Sequence, residues 1–96
     1  MSVAILGGLD RLKKSYIRDA KVMGYKVKVF SQTVPDLAER LSRVSVIVIF
    51  TGNVAHSMVV AARRVGKKYR IPIGRTQSSS LSAFKRCLME QSTSMG

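Results

Sequence analysis

Acidic side chains are scarce. Five Asp and Glu stand against 17 Lys and Arg, a formal net charge of +12. So few carboxylates make paired acid–base chemistry hard to assemble, which argues against a hydrolase or a phosphotransfer enzyme. Self-repulsion of this size costs stability and is offset by an anionic partner, nucleic acid first, then nucleotides, anionic lipid and acidic proteins. The single cysteine, Cys87, excludes an internal disulfide and fits a reducing, cytoplasmic setting. The single histidine, His56, excludes a His- or Cys-rich metal cluster within one chain. Zinc-finger spacing, a helix-turn-helix and an aromatic RNA platform are all missing, so base-specific reading is not indicated. No apolar run approaches the ~18 residues that cross a bilayer. The opening Met-Ser-Val-Ala-Ile-Leu-Gly-Gly has no basic stretch and an apolar run of only about five residues, so no signal peptide is expected.

Apolar residues, by contrast, are plentiful. At 46% of 96 residues they exclude intrinsic disorder and suit one small domain, expected over residues 1–90, with a frayed tail at 91–96. Val3-Ala4-Ile5-Leu6 ending in Gly7-Gly8 predicts a buried strand and a sharp turn. Leu12, Tyr16, Ala20 and Met23 recur at spacings of three and four, one face of a helix from Leu9 to Met23 that Gly24 stops. Tyr25 to Phe30 alternates as a strand with one wet side, and Lys26 and Lys28 suit a sheet edge.

Thr33 as N-cap, Pro35 in the first turn and Asp36 three residues on predict a short helix to about Ser42. Val44 to Phe50 is apolar at nearly every position and should be a central strand covered on both faces. After Thr51-Gly52-Asn53 comes a helix from Ala55 to Tyr69, expected to bury Val59, Ala62, Val65 and Tyr69. Ile71-Pro72-Ile73 reads as an edge strand. The run Ser78-Ser79-Ser80 offers N-caps to a last helix with Leu81, Phe84 and Leu88 inward, and Cys87 nearby as a small buried hydrophobe. Strict alternation of strand and helix gives a three-layer α/β fold around a four-stranded parallel sheet. The second and fourth strands have edge character, so the expected order is 2-1-3-4, with ligands binding outside the carboxyl ends of strands one and three.

Three bends should meet there: Gly7-Gly8-Leu9-Asp10-Arg11, Thr51 to Ser57, and Arg75 to Ser80. Gly7, Gly8 and Gly52 let backbone approach a ligand, helix starts aim N–H groups at one spot, and Arg75 adds a guanidinium suited to phosphate. Asp10, Arg11, Thr51, Asn53, His56, Ser78 and Ser79 complete the expected ligand set. Tight dinucleotide binding is not expected, because Gly7 to Leu12 lacks the second and third glycines of the fingerprint and Ser31-Gln32 stand where its acid belongs. A Walker A loop is absent, and Phe50-Thr51 replace the acid a phosphorylated receiver carries after its third strand. Lys14, Arg18 and Lys21 line the first long helix, and Arg63, Arg64, Lys67 and Lys68 the third. Together these stripes suggest contact with a polyanion.

Val-Ala-Ile-Leu-Gly-Gly at the start, Val-Ser-Val-Ile-Val-Ile-Phe-Thr-Gly-Asn-Val-Ala-His-Ser in the middle, Ile-Pro-Ile-Gly-Arg-Thr and the closing Ser-Leu-Ser-Ala-Phe resemble the bacterial domain of unknown function 2325 family. The resemblance covers about Met1 to Leu88. It implies a small Rossmann-like domain whose His-containing turn is the functional site, which places Gly7, Gly8, Thr51, Asn53 and His56 in that role. The expectation is a binding or regulatory module for an anionic ligand, nucleic acid or a nucleotide. The alternative is haem or metal binding, with His56 from each subunit of a homodimer as an axial ligand. A homodimer is expected in either case, because a small core gains much from association.

Overall fold

The computed structural model describes residues 1–95, with side chains through Gln91. The strands are β1 (Ser2–Leu6), β2 (Lys26–Phe30), β3 (Val46–Phe50) and β4 (Ile73–Thr76). The helices are α1 (Lys13–Val22), α2 (Leu37–Leu41), α3 (His56–Tyr69) and α4 (Leu81–Met95), and a 3-10 turn at Asp10–Leu12 leads into α1. All pairings are parallel and the order is β2-β1-β3-β4, the expected one. The tail expected at 91–96 falls mostly within α4, which runs to Met95; Gly96 lies outside the described residues.

Side chains of a strand alternate between faces, so each central strand feeds two cores. Val3, Ile5, Val46, Val48 and Phe50 meet Tyr16 and Ala20 of α1 and Phe84, Cys87 and Leu88 of α4. Ala4, Leu6, Ile47 and Ile49 meet Leu37 and Leu41 of α2 and Met58, Ala62 and Val65 of α3. Every residue of β3 is buried, as its unbroken apolar run requires. α1 and α4 therefore cover one face, and α2 and α3 the other.

Several local expectations change. Thr33 is not the cap of α2; Asp36 stands at that position without a side-chain cap bond, and the Thr33 hydroxyl instead lies 2.9 Å from that of Ser57. Pro35 sits in a turn before the helix, closed by Leu37 N–H donating to the Val34 carbonyl at 3.1 Å. β4 begins at Ile73, after Pro72, and runs on to Thr76. On α3, Met58 is fully buried, whereas Tyr69, in the last turn, is 51% exposed and faces the cleft between α2 and α3.

Candidate functional site

The three bends converge at the carboxyl end of the sheet, and a few bonds lock them together. Tyr16 lies in the α1–α4 core, its ring centroid 4.9 Å from that of Phe50 and 5.3 Å from that of Phe84. Its hydroxyl reaches the end of that core and donates to the Ser79 carbonyl at 2.6 Å, while Leu9 N–H donates to it at 3.2 Å. One phenol oxygen thus ties the first bend to the third. The second bend joins through Asn53, whose Oδ1 accepts from the Ser79 hydroxyl at 2.9 Å. Thr51 N–H donates to the Thr76 carbonyl at 2.9 Å, continuing the β3–β4 ladder into the loops.

Close backbone approach fixes the rest. Gly7 has φ +82°, and a Cβ there would lie 2.3 Å from the Asn53 carbonyl oxygen. Gly8 has φ +92° and stands against the rings of Phe50 and Tyr16, so no side chain fits there either. Both glycines are required by this approach and by a positive φ that side chains rarely adopt.

The expected site residues divide into two groups. Asp10, Arg11, Thr51, Gly52, Asn53, His56 and Ser78 are exposed around the bends, whereas Arg75, expected in the third bend, lies within β4 and lines a groove with Ala83, Arg86 and Glu90 of α4. Ser79 is 8% exposed, with its hydroxyl and carbonyl both engaged, so it braces the bends instead of facing a ligand. Gly7 is buried behind Asn53 in the same way.

The helix starts also differ from one another. Ser80 caps α4, its Oγ accepting from Ala83 N–H at 3.2 Å, while Ser78 Oγ accepts from Ser80 N–H at 3.2 Å. α1 is entered through the 3-10 turn, with Leu12 N–H donating to Leu9. α3, like the short α2, opens with neither device: its N-cap is Ala55, no side chain caps its first turn, and Met58 N–H is already donating to the Ala55 carbonyl. The N–H groups of His56 and Ser57, both exposed residues, are the orphan donors that every helix start leaves.

The basic stripes separate. Lys14, Arg18 and Lys21 stand on α1, and Arg63, Arg64, Lys67 and Lys68 on α3, on opposite faces of the sheet. Among the described residues, no group of three or more His, Cys, Asp or Glu could hold a metal ion, and no helix is long and apolar enough to cross a membrane.

Tyr16 is the residue that sequence reasoning undervalued. Its spacing marked it as core, but a tyrosine at a core position also announces a buried hydroxyl that needs a partner. The partner could not be read, because Ser79 is 63 positions away.

A four-stranded parallel sheet with two helices on each face and polar bends gathered at its carboxyl end makes this a small three-layer α/β domain of Rossmann-like architecture. The chain belongs to the family described as an uncharacterized protein conserved in bacteria (DUF2325), whose model matches residues 2–91. No curated protein and no solved structure matches it.

Proposed function

We propose that the protein is a cytoplasmic binding or regulatory module that takes an anionic group, the phosphate of a nucleotide or nucleic acid, at the carboxyl end of its sheet. The observation that carries this reading is the uncapped start of α3, set among bends that Tyr16, Asn53 and Ser79 hold rigid. Backbone N–H groups and the positive end of a helix dipole favour an anion there. Exposed Asn53 and His56 on the same bend add side-chain donors, and the strongly positive chain draws anions toward it.

The haem reading rests on the exposure of His56 alone. Its neighbours on the surface, Ser57 and Thr33, present hydroxyls, so a porphyrin would need apolar walls from a second copy. That makes the anion the better-supported ligand. A homodimer remains part of the proposal: Val22 and Met89 are exposed apolar residues flanking a groove of about 430 Å³ between α1 and α4. Size exclusion should then report about twice 10.6 kDa.

His56 supplies the test, since a single imidazole gives unambiguous proton resonances. Titration with adenosine triphosphate or inorganic phosphate should move them along a saturable curve. An absorbance scan of the protein as isolated should show bound nucleotide near the ultraviolet base band and no Soret band. Unmoved His56 resonances at millimolar ligand would overturn the anion reading, and a Soret band lost in His56→Ala would replace it with haem.

A further inference from the structure

The chain has three Tyr and three Phe. Five of these rings are buried, Tyr16, Tyr25, Phe30, Phe50 and Phe84, and Tyr69 alone is half exposed. It also lies in the most cationic stretch of the chain. Arg63, Arg64, Lys67 and Lys68 precede it on α3 and Arg70 follows it as the C-cap, all of them exposed. No acid occurs between Glu39 and Glu90, and none of these five cations has an ion-pair partner among the described residues. The acids of the neighbouring α2 and its N-cap are already engaged: Arg40 Nε lies 2.9 Å from Asp36 and Arg43 3.1 Å from Glu39. The bond from Arg40 holds the Asp36 carboxyl below the usual carboxylate range, so it stays charged and paired.

Between α2 and α3 lies a cleft of about 220 Å³ lined by Ala38, Glu39, Ser42, Arg64, Val65, Lys68 and Tyr69. It combines an apolar floor, an exposed ring and two cations without counterions, and Lys68 Nζ stands 5.3 Å from the centre of the Tyr69 ring. Surfaces that hold single-stranded nucleic acid use this combination, with cations tracking the phosphates and an aromatic face stacking an unpaired base. The stripe on α1 has the charge but no exposed ring.

We infer that the carboxyl half of α3 is a single-stranded nucleic-acid binding surface, with a base stacked on Tyr69 in the α2–α3 cleft and the flanking phosphates on Arg64 and Lys68. The surface is separate from the bends that carry His56. The 14 residues of α3 set the two about 20 Å apart, so either can fail while the other stands.

Fluorescence anisotropy with a labelled oligothymidylate of about 15 nucleotides, in roughly 50 mM salt, tests this. Tyr69→Leu should weaken binding about tenfold, whereas Tyr69→Phe keeps the stacking face and binds as the unaltered protein does. A duplex of the same length, with no free base, should bind more weakly and ignore Tyr69→Leu. Arg64→Gln with Lys68→Gln should lower the salt slope by about 1.4. The double change Lys14→Gln with Lys21→Gln removes equal charge from α1 and should leave the slope unchanged. Thermal melting of each variant shows whether these residues only stabilise the end of α3, as basic residues there can. Equal losses from the two double variants, indifference to Tyr69→Leu, or tighter binding to phosphatidylglycerol vesicles than to the oligonucleotide would each overturn the assignment.

Discussion

Tyr16 donates a 2.6 Å hydrogen bond to the carbonyl of Ser79, a residue 63 positions further along the chain. The bond leaves the top of a hydrophobic core and ends among the polar bends, so the same ring packs one face of the sheet and sets the spacing of its loops. Tyr16→Phe keeps the packing and deletes the oxygen, orphaning the Ser79 carbonyl and the Leu9 N–H. The expected cost is about 1–3 kcal/mol, read by urea denaturation. Amide exchange at Leu9 should quicken more than exchange in β3, which would locate the loss at the bends.

Among the described residues three glycines have positive φ, and two of them separate strain from collision. Gly24 (φ +91°) has nothing within 4 Å of a would-be Cβ, whereas Gly7 (φ +82°) has the Asn53 carbonyl oxygen at 2.3 Å. Gly24→Ala should therefore cost only the left-handed backbone term, about 1–2 kcal/mol. Gly7→Ala adds the clash to that term and should lower Tm clearly further, with the largest amide shift changes at Asn53 and Val54. Equal losses at the two positions would mean that the first and second bends are not in contact.

Cys87 is buried against Gly74, and burial, with a smaller push from the nearby Glu90 charge, raises its thiol to about 11 from an ordinary 9.0. The thiol should resist Ellman's reagent at pH 8 in the folded protein and react fully in denaturant. Because the folded-state value is the higher one, its contribution to stability is complete below pH 9 and is lost as pH rises from 9 to about 11. Cys87→Ala should remove that part of the alkaline decline.

Asp19 has a side chain 10% exposed, with Arg18 Nε at 3.6 Å, Lys85 Nζ at 3.9 Å and one oxygen, Oδ2, without a hydrogen bond. Lys85→Met takes away the cation that joins α1 to α4 at this point. It should destabilise by about 1 kcal/mol, because a buried carboxylate loses compensation while Lys85 itself is half exposed. Asp19→Asn combined with Lys85→Met should recover most of the loss, which a thermal melt of the two variants measures.

Much of this domain was legible in the chain. Val46 to Phe50 is apolar throughout and lies in the centre of the sheet; Lys26 and Lys28 alternate with Val27 and Val29 and lie on its edge. Gly7-Gly8 marked the first bend, and Ser80 caps α4 as the serine run suggested. These features depend on a residue and its near neighbours, which sequence displays directly. Tyr69 defeated the same logic: its helical spacing matches Ala62 and Val65, but periodicity reports which side of a helix a residue occupies and not what lies across from it, here the open cleft beside α2. Thr33 looked like a cap because caps are local, but Asp36 stands at that position and the Thr33 hydroxyl meets that of Ser57, 24 positions away.

Alternation of apolar and polar residues, read along the chain, was enough to determine the layers and the strand order, since each strand must bury the faces its pattern makes hydrophobic. Folding decided the rest: that the two cationic stripes look in opposite directions, that Ser79 is a brace, and that one tyrosine stands in water among arginines and lysines. Those outcomes depend on where elements end and what lies across the gap, distances that no stretch of sequence contains.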